Sequence, residues 1–194
     1  LLVNTHAALR KAGSGRKTDR VDAELMAQKL MLGLLEEVWV PPVAIRELRT
    51  LLGYYDQLVR KTVVFQNQIR AVVRRNGIKV AMKKLLSPAG RCELERLDLP
   101  LADRLTVASA MAMYDAIQQE AARVEREIAH RVQENPGVKL LMSITGVGLL
   151  TAAVVYAWVG DPSRFKGAKQ ITRYAGLDPS VIQSGEVDWV GRIS

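Results

Sequence analysis

Two long runs of helical apolar spacing constrain this chain more than any other feature. In the first, Ile45, Leu48, Leu52, Tyr55, Val59 and Thr62 recur at alternating intervals of three and four, and Ile69, Val72 and Val73 continue the stripe. That spacing marks one face of an α-helix, not a strand. Pro41-Pro42 sets a firm boundary before it, no proline interrupts it before Pro88, and Asn76-Gly77 ends it, so a helix of roughly thirty residues is predicted. The second run, from about Leu101 to Glu134, carries Ile117, Ala121, Val124, Ile128 and Val132 on one side and stops at Asn135-Pro136-Gly137. About twenty-five residues join the two, which makes an antiparallel helical hairpin the simplest arrangement. The stripes are narrow, as in a coiled coil, so a partner helix from a second copy is expected, giving a homo-oligomer. The plainer arrangement, each helix packed only on its mate, uses the same stripes.

An apolar fraction of 48% with an aromatic fraction of only 5% fits a mostly α chain, because β-sandwiches draw on aromatic and β-branched residues. Cys92 is the single cysteine. It excludes an internal disulfide and suits a reducing compartment. With no signal peptide in view, a cytoplasmic location is expected.

From Leu140 to Gly160 there is no charged residue, a length that would license a membrane span. Thr145-Gly146-Val147-Gly148 lies near its middle, and two glycines there favour a tight turn over an unbroken helix. Two short buried helices over 138–144 and 149–159 are predicted instead, and no membrane association. Helix, Gly-apolar-Gly turn, helix is the pattern of a helix-hairpin-helix DNA-binding element. Gly146 and Gly148 would let the backbone approach a phosphate, and the first N–H groups of the second helix are anion donors. Such contacts position nucleic acid without reading its sequence. The same pattern also serves as a plain structural αα-turn. Beyond it come the turn with Arg164 and a short predicted helix over 168–174 bearing Lys169 and Arg173.

The net charge of +8 is unevenly placed. Between Gln57 and Cys92 there is no Asp or Glu, while nine of the 28 basic residues fall there, leaving 19 basic against 20 acidic residues elsewhere. Arg70, Arg74, Arg75 and Lys79 form its centre. A block of this kind usually faces a polyanion, most often nucleic acid, though it also serves as a solvated face with no partner.

Asp19 and Asp22 stand three apart where a Gly/Ser/Lys-rich segment gives way to the apolar run Val21, Leu25, Met26, Leu30. On a helix they are neighbours, roughly 5–6 Å apart at Cβ. Two carboxylates aimed at one point suit a hard cation such as Mg²⁺ or Mn²⁺. Asp19 is equally suited to be the helix N-cap.

The words around these residues carry a resemblance. Lys17-Thr18-Asp19-Arg20-Val21-Asp22-Ala23 resembles the end of the RuvC-like DEDD domain in transposases of the IS110 family of insertion sequences. Ser143-Ile144-Thr145-Gly146-Val147-Gly148, Gly160-Asp161-Pro162-Ser163-Arg164-Phe165, Tyr174-Ala175-Gly176-Leu177-Asp178-Pro179, Gln183-Ser184-Gly185 and Gly191-Arg192-Ile193-Ser194 resemble, in the same order, the C-terminal domain of that family. The likeness implies three parts: residues 1–42 as the C-terminal remnant of an α/β RuvC-like (RNase H-like) domain, 43–137 as the helical hairpin or coiled coil with its basic linker, and 138–194 as a helix-hairpin-helix-type domain. It implies a DNA recombinase whose acids, Asp19 and Asp22 among four, hold Mg²⁺, and whose nucleophile is a serine, here matched by Ser184. A loop is expected there, with Arg192 nearby to hold a phosphate. Some members take a guide RNA, which the basic block could hold. The family's other two acids fall upstream of Leu1 and its last helix beyond Ser194, so the chain is expected to be truncated and inactive alone. Two readings of other classes compete: a non-catalytic nucleic-acid-binding module, and a metal-dependent nuclease of the Holliday-junction type in which Ser184 is a turn residue.

Overall fold

The computed structural model describes Val3, 18–35, 37–78, 85–177 and, for the backbone alone, 179–184 and 187–193. The described residues are predominantly helical, with one two-stranded sheet. They divide into two compact units, Leu1–Val43 and Ala44–Ser194.

The first unit holds α1, Asp19–Met31. Thr18 caps it by accepting the Val21 N–H at 3.4 Å. A Schellman turn closes it: Leu34 N–H donates to the Lys29 carbonyl at 2.9 Å and Gly33 N–H to that of Leu30 at 3.1 Å. Gly33 takes φ 65° there, a conformation that glycine adopts without strain. An antiparallel bridge joins Val3 to Glu37. From its sequence a short helix is also expected over His6 to Leu9, which lies outside the described residues.

The second unit is built on α2, Val43–Arg75, and α4, Leu101–Val132. At ~1.5 Å per residue each is about 50 Å long. Side-chain pairs show that they run antiparallel. Arg131 meets Glu47 at 2.9 Å, Tyr55 meets Glu125 at 3.5 Å, Gln66 meets Tyr114 at 3.4 Å, and Arg75 meets Asp103 at the far end. As one partner's number rises the other's falls. Gly77, at φ 68°, ends α2 with the same Schellman closure as Gly33. The predicted stripe needs one correction. Val59 is exposed and Leu58 is buried in its place, because a strict alternation of three and four drifts around a helix of 3.6 residues per turn.

Two cores lie along this hairpin. Leu48, Leu52 and Leu58 of α2 and Ala121, Val124, Ile128 and Val132 of α4 form one of them, and it continues into the C-terminal helices through Val138, Ala152, Ala153 and Ala157. The other joins Ile69, Val72 and Val73 to Leu85, Leu94, Leu99, Val107 and Ala110. Leu94 belongs to α3, Pro88–Arg96, a short helix in the connection that periodicity did not predict. Its signals are local: Ser87 accepts the Gly90 N–H, and Pro88 starts the helix where its missing N–H costs nothing.

Then come α5, Pro136–Met142, and α6, Leu149–Val159. The start of α5 lies two residues earlier than predicted, because Asn135 caps it with bonds from the Gly137 and Val138 N–H groups at 2.9 and 3.2 Å and Pro136 sits at the first position. A short 3-10 turn, Pro162–Arg164, leads to α7, Ala168–Tyr174. Strands β1, Pro179–Ser184, and β2, Val187–Ile193, pair antiparallel. No helix among the described residues is long and apolar enough to cross a membrane.

Candidate functional site

Asp19 is the first residue of α1 and Asp22 lies one turn on. Thr18, not Asp19, makes the cap, and Asp19 and Asp22 are the acids of the first turn, where they suit the helix dipole. Asp19 is exposed and Asp22 half-buried. The adjacent Glu24 is taken by Arg20, at 3.1 Å. Among the described residues no group of three or more His, Cys, Asp or Glu is placed to hold a metal. The pair therefore supplies two oxygen donors suited to a hard divalent cation, but not a full ligand set.

The predicted Gly-x-Gly turn connects α5 to α6. Val147 N–H bonds to the Ile144 carbonyl at 3.0 Å, and Gly146 takes φ 90°. Residues 142–146 are exposed. Gly148 is the N-cap of α6 and no side chain caps that helix. The first N–H groups of a helix have no intrahelical acceptor, so an acceptor from outside suits this end.

The basic residues divide by partner. Of the acid-free block, Arg60 pairs with Asp56 at 2.8 Å, Arg91 holds Asp115 with two bonds of 2.6 and 2.7 Å, and Arg75 pairs with Asp103. Arg70 donates to Asn67 at 3.1 Å. Lys61 and Arg74 are exposed. Three of the five arginines in the block are thus held by acids flanking it or on α4. Lys79 lies outside the described residues.

Arg164 is likewise engaged in structure. Its Nε donates to the Val159 carbonyl at 3.0 Å and its Nη2 to that of Trp158 at 3.4 Å. From the other side Arg49 of α2 donates to the Ala157 and Trp158 carbonyls at 2.8 and 3.3 Å. Two guanidiniums thereby satisfy the last carbonyls of α6, which the helix itself leaves without donors. Arg49 was not legible as a functional residue in the sequence. Lys169 and Arg173 are exposed on α7.

Ser184 is the last residue of β1 and pairs with Val187, the first of β2, at the connected end of the hairpin. Where a loop is expected, Ser184 thus lies at a strand end, and the β-branched Val181-Ile182 and Val187, Val190, Ile193 around Ser184-Gly185 were the missed strand signal. Arg192 lies on β2, one residue before Ile193, whose partner is Pro179, so along the ladder it sits at the end away from Ser184. Gly185 and the side chains of both strands lie outside the description.

The DEDD-type IS110 transposase model matches residues 2–76, and the model described as Transposase IS116/IS110/IS902 family matches residues 138–194. The transposase for insertion sequence element IS1111A of Coxiella burnetii is 27% identical over 178 residues, covering 87% of this chain and 47% of its own length. The insertion element IS110 43.6 kDa protein of Streptomyces coelicolor is 25% identical over 222 residues, covering 87% and 54%. The transposase for element IS1328 of Yersinia enterocolitica is 23% identical over 174 residues, covering 87% and 51%. The chain spans about half the length of the curated relatives it matches. The two models fall in chain order on the stretch with Asp19 and Asp22 and on the stretch with Ser184, and the chain belongs to the IS110/IS116 family of insertion-sequence transposases.

Proposed function

We propose that the protein cuts and rejoins DNA strands at the ends of an insertion sequence, with Ser184 as the nucleophile and Asp19 and Asp22 among the carboxylates of a divalent-metal site. One observation carries this reading: the two family matches cover the acid pair and the serine separately. In the cleavage step the Ser184 Oγ attacks the phosphorus of a phosphodiester. A P–Oγ bond forms, the bond from phosphorus to one sugar oxygen breaks, and that oxygen leaves as a hydroxyl carrying a proton. Rejoining is the reverse, with a new sugar hydroxyl displacing Oγ, so bond energy is kept in the serine phosphoester. A serine hydroxyl is a weak nucleophile at its free pKa and needs activation. A divalent ion, when bound, supplies charge neutralisation at phosphate. The acids that would hold it here are Asp19 and Asp22. The Gly146–Gly148 turn, Lys169, Arg173 and Arg192 would grip the DNA backbone, and Lys61, Arg70 and Arg74 would add charge that a DNA strand or a guide RNA meets equally well.

Bringing the acids and the serine to one phosphate across more than 160 residues of chain is natural for an oligomer, with Ser184 of one copy opposite the acids of another. The test uses the whole protein, Mg²⁺ or Mn²⁺, and a labelled element end. A protein–DNA adduct stable to denaturant is expected. It should vanish in Ser184→Ala and in Asp19→Asn with Asp22→Asn, while DNA binding holds within about twofold. Mixing the two inactive variants should restore adduct if the site is shared between copies. An adduct that persists in Ser184→Ala at the parental rate removes the serine from the mechanism. DNA binding with no adduct in the parent protein favours the binding-module reading.

A further inference from the structure

Three aromatic rings and two guanidiniums gather at the C-terminal end of α6. The Arg49 Cζ lies 5.4 Å from the centre of the Trp158 ring. The Arg164 Cζ lies 4.2 Å from the Phe165 ring and 4.5 Å from the Tyr174 ring, and those two rings meet edge-on with centroids 5.3 Å apart. Packing alone does not account for the outer rings, since Trp158 remains 43% and Tyr174 47% exposed. In a chain with only 5% aromatic residues, half-exposed rings held in place by arginines are an unusual use of scarce side chains. The surroundings are cationic. Lys166, Lys169 and Arg173 are exposed, and no Asp or Glu occurs from Pro162 to Leu177.

Resting on the DNA-processing function proposed above, we infer that this surface binds an unpaired DNA strand, with bases stacking on Tyr174 and Trp158 and phosphates met by Lys169 and Arg173. Aromatic rings set in a basic surface are how proteins hold single strands, because every base has a π-face and stacking tolerates any sequence. Arginine against the same rings adds a cation–π contribution. A duplex offers its phosphates and base edges but keeps its base faces stacked inside, so exposed rings add nothing for duplex DNA. A protein partner of matching chemistry would need a concentrated acidic face, whereas a DNA strand supplies negative charge and flat rings together. The position suits the reaction as well. Tyr174 ends α7, a turn at Gly176 follows, and β1 runs six residues to Ser184, a reach of about 20 Å at ~3.3 Å per residue.

The experiment measures binding of the full chain, without divalent metal, to a labelled oligothymidylate of roughly 12 nucleotides, within the site sizes of single-strand binders, and to a duplex of equal length. Tyr174→Ala and Trp158→Ala should each weaken oligothymidylate binding roughly 5- to 100-fold, the range for loss of one stacked base, and change duplex binding less than about twofold. Tyr174→Phe, which keeps the ring, should bind as the parent does. Lys169→Ala with Arg173→Ala should weaken both probes and flatten the salt dependence. Thermal melts of each variant separate lost binding from lost folding, and Tyr174→Phe keeps the test valid if Tyr174→Ala unfolds. Unchanged oligothymidylate binding in both ring-removal variants overturns the inference. So does a parallel fall for duplex and single strand, which would mark a phosphate surface only. Because this assay needs neither Ser184 nor metal, its failure is distinguishable from failure of the serine mechanism. Adduct formation with no single-strand binding sinks only the present inference, and the opposite pattern sinks only the serine.

Discussion

The two ends of the α2–α4 hairpin share their apolar residue types and differ in what closes them. The core around Ile128 is continuous with α5 and α6, and its alanines, Ala121, Ala152, Ala153 and Ala157, are fully or nearly buried. Small side chains let helices approach closely. Here Arg49 and Arg164 donate to the last main-chain carbonyls of α6, and Arg131 bridges Glu47 and Glu127 between α2 and α4. The core around Ile69 has longer side chains from the connection, Leu85, Leu94 and Leu99. Carboxylates seal it: Asp103 takes Arg75 and Asn76, and Asp115 takes Arg91. One end has been made into a mount for the C-terminal helices, and the other secures only its own connection. The acceptors differ too, since main-chain carbonyls do not titrate in mild acid and carboxylates do.

The largest expected effects come from the cores. Ile69 and Ile128 are both fully buried, and Ile→Ala at either should cost about 2–5 kcal/mol. Their consequences should diverge. Ile128→Ala should loosen α5 and α6 with it, while Ile69→Ala should loosen α3 and leave α5 and α6 protected. Amide exchange helix by helix decides this. Equal loss of protection in α6 from both changes would show that the hairpin opens as one unit and that the division into two ends has no energetic meaning.

Next in size is Arg49→Ala. A hydrogen bond with a charged partner is worth about 1.5–3 kcal/mol, and Arg49 makes two such bonds besides lying against Trp158. A loss of about 2 kcal/mol is expected, with Arg49→Lys recovering only part because lysine lacks the planar fork. A thermal melt measures it. No change in either variant would mean that α6 is held by its apolar face alone.

Much of this contrast could not be read from the chain. Helical spacing located α2 and α4, and the Gly146–Gly148 turn located α6, because those signals are local. Periodicity gave no hint of α3, whose nine residues are too few to repeat. The acid-free block read as nucleic-acid charge, since its acids come from elsewhere: Asp103 and Asp115 from α4 and Asp56 from one residue outside the block. Arg49 reaches across more than a hundred positions to Trp158, a pairing that no spacing rule encodes. Asp19, Asp22 and Ser184 stood out through the words around them, whereas Trp158 and Tyr174 carried only a faint signal, an acid-free interval flanking scattered rings.

A smaller effect separates the paired from the unpaired cations of the basic end. Arg74 is exposed and Arg75 is bound to Asp103. If Arg74 meets a phosphate, Arg74→Ala should flatten the log–log salt slope for DNA by about 0.9, roughly a threefold change in the affinity lost between 50 and 200 mM salt. Arg75→Ala should lower thermal stability and leave the slope nearly unchanged. Filter-binding titrations at several salt concentrations distinguish the two, and a slope change in Arg75→Ala as large as in Arg74→Ala would show that the Asp103 pair opens to bind nucleic acid.

The smallest effect is the acid sensitivity that Asp103 and Asp115 give the connection end; at the other end the carboxyls held low are Glu127, by Arg131, and Asp161, by the Ser163 N–H. Hydrogen bonds from Arg75, and then from Asn76, hold the Asp103 carboxyl below its usual range, and the Arg91 side chain does the same for Asp115. In the unfolded chain both carboxyls titrate near their ordinary value, about 3.9. Folding lowers their proton affinity, so the folded state binds fewer protons than the unfolded state around and below that pH. The stabilisation is complete above the unfolded value and disappears as pH falls through the depressed folded values. Solvent reaches Arg75 and much of the Asp115 pair, so screening keeps each contribution small. The melting temperature should therefore hold from about pH 7 to 5 and then decline toward pH 3, with exchange in α3 and the C-terminal turn of α2 rising first. Asp103→Asn and Asp115→Asn should each start from a lower stability at pH 7 and show a shallower decline, because the titrating group is gone. The contacts that hold α6, Arg49 and Arg164 on main-chain carbonyls, have nothing to protonate in this range. Exchange in α6 that rises at the same pH as exchange in α3, and still does so in Glu127→Gln with Asp161→Asn, would mean that the acid response belongs to the whole hairpin, and would count against chemical closure as the difference between its two ends.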